Sequence, residues 1–394
     1  MWTFDDFVLD CSRYELRSGA RVVRVEPQVF DVLTHLVSNR HRCVTKVELL
    51  DSVWGGRFVG EAALSSRIAA ARRALGDDGE AQRYIRTVRG RGYQFIGVVD
   101  EKRCARTIGP PEALPRQDVG FCRAEDGVRL AYAVVGDGPP LVRAANWLTH
   151  LGYDLASPVW GHWIRELSRH HRLVRYDERG CGLSDWDAPD FTFDDWVADL
   201  ECVVDTLGLT RFPLLGVSQG AAVAVAYAAR NPERVSALVL YGGYARGRAV
   251  RAAGDAERNA AALDLDLARV GWSRDDPAFR RVFAAQFLPD GTRADWDAFD
   301  ALQRRTTSAA NAVRFLEQFA EIDVRDQAGQ VACPTLVMHS SEDHRVPARF
   351  GEELATLIPD AQLVTLHSRN HLLTPAEPAW SEFRATVHAF LSAH

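Results

Sequence analysis

The chain has 394 residues, is 47% hydrophobic and 25% charged, and carries a formal net charge of −6. That length predicts two or more domains with sizeable cores, and the charge excludes a wholly basic nucleic-acid coat. The charge is unevenly split: residues 1–100 hold 15 Arg and Lys against 13 Asp and Glu, so +2, which leaves −8 for the rest.

Short alternating strands are predicted over Phe4–Leu9, Tyr14–Arg17 and Val22–Val25, then amphipathic helices over Gln28–Ser38 and Lys46–Trp54. A third helix, Glu61–Leu75, places Leu64, Ile68, Ala71 and Leu75 on one face at helical spacing. Its outward face carries Ser65, Ser66, Arg67, Arg72 and Arg73. Tyr84–Val88 and Gly92–Ile96 form a hairpin around Arg-Gly-Arg-Gly, which presents Arg86, Arg89 and Arg91. Only Lys46 and Lys102 are lysines, so arginine richness is partly a chain-wide bias and placement matters more than number. An arginine-bearing helix is usually just a solvated face. The hairpin weighs against that reading, because Gly90 and Gly92 allow a tight turn on which Arg89 and Arg91 project together.

Residues 101–118, EKRCARTIGPPEALPRQD, break all periodicity and read as a linker between a domain at 1–100 and one at 119–394. Beyond it, strands (Val128–Val135, Leu141–Ala145, Leu173–Tyr176, Phe212–Leu215, Val235–Tyr241, Thr335–His339, Gln362–Leu366) alternate with helices (Trp160–Arg169, Phe193–Leu207, Ala221–Ala229). Such alternation predicts a mainly parallel sheet covered on both faces. Residues 245–330 read as a helical insertion over the carboxyl edge of that sheet. Its Trp272, Phe279, Phe283, Phe287, Trp296 and Phe299 suit either packing onto the core or an apolar pocket.

Residues 212–230, FPLLGVSQGAAVAVAYAAR, read as strand, sharp turn and helix, with Ser218 in the turn. A serine hydroxyl needs an imidazole to take its proton and a carboxylate to orient that imidazole. Gly216 and Gly220 relieve crowding in such an elbow, and the turn aims the Gln219 backbone N–H at a developing oxyanion. The partners should follow in the order acid, then histidine. Asp343, just past the Thr335–His339 strand, is favoured over its neighbour Glu342. His371 is favoured over His367, since its loop leaves it free to reach Ser218.

On these motifs, together with Tyr176–Asp185 (YDERGCGLSD), residues 119–394 resemble the α/β-hydrolase family. The resemblance implies an α/β fold: a doubly wound, mainly parallel sheet with a helical lid at about 245–330. It also implies a second oxyanion donor in Ala145-Asn146-Trp147, with Trp147 supplying the N–H and Asn146 replacing the usual glycine. A serine at the elbow argues against the aspartate-nucleophile chemistry of haloalkane dehalogenases and epoxide hydrolases. Residues 1–99 resemble the OmpR/PhoB-type winged-helix domain, on RRALG after the third helix and TVRGRGYQF in the hairpin. That resemblance implies a small α+β domain whose helix enters the major groove while Arg91 reaches the adjacent minor groove. Ser66, Arg67, Arg72, Arg73, Arg89 and Arg91 are then the expected DNA contacts. Ala70 stands where that family often places a basic residue.

Three functions fit this pairing: a regulator that binds and cleaves a small acyl compound, a serine hydrolase merely tethered by its winged helix, and a regulator with an inert sensor domain. The first is favoured, because the Ser, Asp and His order and the recognition helix with its wing are both intact. The expected partners are double-stranded DNA and a small-molecule ligand or substrate, with a homodimer compatible with both. No cofactor and no metal site are expected, since the seven cysteines are scattered without metal spacing and read as free thiols of a reducing cytoplasm. The first residues, MWTFDDFVLD, have no signal-peptide pattern, and the longest apolar stretch, Ala221–Ala229, is too short to span a bilayer, so no membrane partner is expected.

Overall fold

A computed structural model describes residues 2–10, 15–19, 21–23, 25–54, 61–100, 114–189, 192–274, 276 and 278–394. The chain divides into two units, Met1–Ala113 and Leu114–His394.

The first unit opens with a four-stranded antiparallel sheet of Trp2–Phe4, Phe7–Asp10, Glu15–Ser18 and Arg21–Val23. The single strand predicted at Phe4–Leu9 is therefore two strands, paired Phe4 to Phe7. Asp5 turns the chain with φ of 45°, a left-handed conformation that aspartate tolerates better than most residues. Its carboxylate accepts the Tyr84 hydroxyl at 2.6 Å, which ties this turn to the later hairpin. Tyr14 of the predicted second strand and residue 24 of the third lie outside the described residues.

Three helices follow, Pro27–Ser38, Lys46–Trp54 and Glu61–Ala74. Their apolar faces meet in one core, where Phe30, Leu33 and Val37 join Leu64, Ile68 and Ala71. The hairpin Ile85–Val88 and Gly92–Phe95 adds the short strand Val44–Thr45 to make a three-stranded sheet. Glycine is required at position 92, because a Cβ there would lie 2.0 Å from the Val44 carbonyl oxygen.

The second unit is built on an eight-stranded sheet. Its spatial order is Ala361–Leu366, Thr335–Ser340, Val235–Tyr241, Phe212–Val217, Pro140–Arg143, Arg172–Tyr176, Arg129–Val135 and Gln117–Arg123. The first six run parallel, and the last two are joined antiparallel. This is the expected doubly wound, mainly parallel α/β sheet. Thr335–Ser340 is buried along its whole length, as an interior parallel strand covered on both faces must be.

Residues 101–113 of the predicted linker lie outside the described residues. Its last two, Gln117 and Asp118, are not linker: they pair with Val135 and Val134 in the edge strand. That strand exposes Val119 and Phe121 and buries Cys122, so its apolar pattern does not mark a core-facing strand.

Between Val235–Tyr241 and Thr335–Ser340 the chain runs through the helices Arg248–Arg251, Asp255–Gly271, Ala278–Phe287, Arg293–Thr306, Ala309–Glu321 and Arg325–Ala328. This insertion matches the predicted lid. Among the described residues, no helix is long and apolar enough to cross a membrane.

Candidate active site and DNA-binding surface

Strand Phe212–Val217 ends at Ser218, and helix Gln219–Arg230 starts directly after it. Ser218 has φ of 54° and ψ of −124°, a conformation that costs a side-chain-bearing residue energy and persists only where the surroundings enforce it. The surroundings are tight. A Cβ on Gly216 would lie 2.6 Å from the Ala221 Cα, and one on Gly220 would lie 2.6 Å from the Ala145 carbonyl oxygen. The Ser218 N–H donates to the Tyr241 carbonyl at 2.8 Å, anchoring the turn to the neighbouring strand.

The structure brings the three sequence-predicted residues together. His371 Nε2 lies 2.8 Å from Ser218 Oγ, and His371 Nδ1 lies 2.6 Å from Asp343 Oδ2. Glu342 and His367, their neighbours in sequence, are exposed. Asp343 is held in a loop turn, its Oδ1 accepting the backbone N–H groups of Arg345 and Val346, each at 2.8 Å. Burial pushes the Asp343 carboxyl up, but His371, His339 and the Val346 N–H outweigh it and hold the group below its usual value. With Nδ1–H donated to that carboxylate, Nε2 is left to accept the Ser218 proton.

His371 is fixed by its backbone as well as its ring. Its N–H donates to Phe287 O at 2.9 Å, and the Ser340 hydroxyl donates to the preceding Asn370 carbonyl at 2.8 Å. Gly242 passes beneath the imidazole, where a Cβ would lie 3.1 Å from its Cε1.

Of the expected oxyanion donors, the Gln219 and Trp147 N–H groups, the second is already engaged. The Trp147 N–H donates to the side-chain Oε1 of Gln219 at 3.2 Å. The Gln219 amide in turn donates to Glu178 Oε1 at 2.7 Å, and Glu178 Oε2 has no hydrogen-bond partner among the described residues. Burial pushes the Glu178 carboxyl up to about 8; Gln219 opposes the shift, while Asp199 and Asp177 add to it. A largely protonated Glu178 is therefore the state expected at neutral pH. The Gln219–Glu178 link was not foreseen from sequence, since it joins residues 41 positions apart. Asn146, at the position usually held by glycine, accepts from Arg143 and donates to Trp147 O at 3.0 Å.

Ser218 opens on a cavity of about 370 Å³ with mainly apolar walls that include Trp147, Leu148, Leu265, Leu316 and Phe319. Of the six lid aromatics, only Phe287 lines it. Trp272 and Phe283 pack behind Trp147, with ring centroids 5.4 and 6.0 Å away, and Phe299 packs on Phe287 at 5.1 Å.

In the first unit, Ser66, Arg73, Arg89 and Arg91 are exposed, as a nucleic-acid surface requires. Arg67 is partly covered and paired with Glu26. Arg72 departs from expectation: it is buried, and its guanidinium donates to the Ile85 carbonyl at 2.7 and 3.1 Å and to Thr87 Oγ1 at 2.9 Å. It clamps the helix to the hairpin and is not an outward DNA contact.

Comparison with known proteins agrees with both units. Residues 151–374 match the family described as alpha/beta hydrolase fold, and residues 20–95 match the family described as transcriptional regulatory protein, C terminal. The chain is 28% identical over 268 residues to the pyrrolizixenacetamide deacetylase of Xenorhabdus hominickii, covering 67% of this chain and 94% of that protein. It is 38% identical over 114 residues to the transcriptional regulator HilA of Salmonella typhi, covering 29% of this chain and 19% of that one. A solved hydrolase from Pseudomonas aeruginosa PA01 superposes with a TM-score of 0.58 at 27% identity, covering 70% of this chain and 98% of its own. The chain therefore belongs to the α/β-hydrolase fold family, and ahead of that domain it carries a winged helix of the OmpR/PhoB-type regulators.

Proposed function

We propose that the protein is a DNA-binding transcriptional regulator whose hydrolase domain binds and cleaves a small ester or lactone with Ser218 as nucleophile. The observation that carries this reading is the hydrogen-bonded line Ser218–His371–Asp343 at the wall of an apolar cavity. His371 Nε2 takes the hydroxyl proton as Ser218 Oγ attacks the acyl carbon, and Asp343 steadies the imidazolium that forms. The imidazolium then protonates the departing alkoxide, leaving an acyl-serine that a water molecule, activated by the same histidine, hydrolyses. The Gln219 N–H, at the start of its helix, faces the developing oxyanion. The Trp147 N–H joins it once the Gln219 side chain gives it up.

That last condition favours a second reading, in which the pocket senses a ligand without turning it over. With its Trp147 donor engaged, the resting site lacks one oxyanion contact, a loss on the order of 3 kcal/mol of transition-state stabilisation. For DNA, helix Glu61–Ala74 enters the major groove, and Arg89 and Arg91 reach phosphates or the minor groove beside it.

A paired assay tests the proposal. Wild-type protein should bind the DNA upstream of its own gene with affinity that falls steeply with salt, and should hydrolyse p-nitrophenyl esters. Ser218→Ala should keep the first property and lose the second. Salt-independent DNA binding, or unchanged hydrolysis in Ser218→Ala, would contradict it.

A further inference from the structure

One wall of the cavity is not apolar. Arg248, Arg251 and Arg345 line it together with Asp264. Arg248 Nη1 and Arg345 Nη1 donate to the same Asp264 oxygen, at 2.7 and 2.6 Å. Arg345 also donates to Gln286 at 2.6 Å. Arg251 has no share in this: its Nη1 is buried without a hydrogen-bond partner. Among the described residues, none forms an ion pair or side-chain hydrogen bond with its guanidinium, which stacks 4.1 Å from the Phe350 ring centroid and 5.2 Å from that of Tyr244.

Other buried arginines with one unpaired nitrogen have a role within the fold. Arg143 donates to Asn146, Arg175 to Asp154 and Gln117, and Arg280 to Asp300. Arg251 is held in place by aromatic faces alone, which leaves its N–H edge uncommitted. Its position is not the accident of a loose loop. Gly247 caps the short helix Arg248–Arg251 and lies so close to helix Ala309–Glu321 that a Cβ would sit 2.2 Å from the Phe319 carbonyl oxygen.

The surroundings keep this group charged but ill-compensated. Burial, with Arg345 and Arg349 nearby, pulls Arg251 down to about 10, against Tyr244 and Glu257. Repulsion from Arg345 and then burial pull Arg248 down to about 10 as well. Both remain cations at neutral pH. The other carboxylates on the cavity wall, Glu317 and Glu321, are exposed, and Glu317 is paired with Arg269 at 2.9 Å. A guanidinium removed from water without an anion is unfavourable, and an arriving carboxylate corrects that.

We propose that Arg251 is the anchor for a carboxylate on the substrate, so that the pocket takes an ester or lactone carrying an anionic group remote from the scissile bond. The apolar body then lies along Leu148, Leu316 and Phe319, between the Arg251 end and Ser218. A carboxylate fits better than a phosphate dianion, because Arg248 and Arg345 already share Asp264 and only Arg251 has its donor edge free.

This proposal rests on Ser218 being the nucleophile, and two assays separate the claims. The first compares hydrolysis of mono-p-nitrophenyl glutarate and p-nitrophenyl pentanoate, which match in chain length and differ in the terminal carboxylate. Their kcat/KM ratio should favour the glutarate in wild type and fall about tenfold or more in Arg251→Gln, with Arg251→Lys restoring much of it. The ratio is independent of how much variant is folded. An equal loss on both esters overturns the proposal. The second assay reads binding of monomethyl glutarate by tryptophan fluorescence in Ser218→Ala, where no turnover intervenes. Arg251→Gln in that background should weaken binding about tenfold while dimethyl glutarate binds alike in both. That result upholds the anion site even if Ser218→Ala hydrolyses esters as well as wild type, an outcome that removes only the nucleophile. Equal binding of monomethyl glutarate in both proteins overturns the anion site.

Discussion

The two units use arginine in opposite ways. In the winged-helix unit the arginines suited to DNA, Arg73, Arg89 and Arg91, are exposed, while Arg72 is buried and bonded to Ile85 and Thr87. In the hydrolase unit, Arg179 is buried and bonded to both Asp199 oxygens and to Asp126, and serves the fold. Arg251, half-buried on the cavity wall, has no ion pair or side-chain hydrogen bond among the described residues. Neither arginine number nor exposure alone separates working residues from structural ones. What separates them is whether the chain itself satisfies the guanidinium at the depth where it lies.

The largest expected effect on turnover lies at the elbow. Ser218→Ala and His371→Ala should each lower ester turnover by about 10⁴-fold or more, and the double variant should be little worse, because residues of one relay fail together. DNA binding by either, measured by fluorescence anisotropy, should match wild type. A double variant whose loss is the product of the single losses would argue that they do not act as a unit.

Next come the arginines of the first unit. Arg91→Ala should weaken DNA binding about tenfold and reduce the salt slope by about one, as loss of a single phosphate contact does. Arg72→Ala should act through the fold instead, destabilising the first unit by about 1–3 kcal/mol through orphaned acceptors in the hairpin. Thermal denaturation followed by circular dichroism separates the two. An Arg72→Ala protein of unchanged stability and lowered affinity would return Arg72 to the DNA surface.

How much of this was legible in sequence depended on whether the deciding contacts were local. The elbow was legible because Gly216, Ser218 and Gly220 fall within five residues; the crowding that demands glycine at 216 comes from the turn itself, while that at 220 comes from Ala144–Asn146 beside it. Asp343 and His371 were legible because strands in such sheets deliver loops to one edge. Arg72 was misread because it adjoins the apolar stripe of Ile68, Ala71 and Leu75, and a long side chain there can turn inward to a hairpin that helical spacing does not reveal. Gln117 and Asp118, which open the edge strand, looked like linker because they are polar and follow a proline-broken stretch. The Gln219–Glu178 link and the Arg251 wall depend on residues brought together only by the fold.

A smaller effect is expected at Gln219. Gln219→Met keeps the side-chain volume and removes the acceptor that engages the Trp147 N–H. Turnover should rise several-fold, up to about tenfold, as the second oxyanion donor is released. A fall in kcat would show instead that the Gln219 amide positions Trp147.

The smallest effect concerns stability and pH. Glu178 is raised from an ordinary 4.5 to about 8 in the folded chain, so the unfolded chain releases its proton first as pH rises. Its contribution to stability is therefore present below the unfolded value and lost as pH climbs from about 4.5 to about 8. Glu178→Gln removes that loss, and its melting temperature relative to wild type should climb by a few degrees across the same window. A difference that stays flat with pH would contradict the assignment.

The proposed function stands on Ser218 being an activated nucleophile. Intact-mass measurement after treatment with a fluorophosphonate tests it most directly. Wild-type protein should carry a single adduct, mapped by peptide sequencing to Ser218 and absent from Ser218→Ala. An unlabelled wild type, or an adduct that persists in Ser218→Ala, would contradict it.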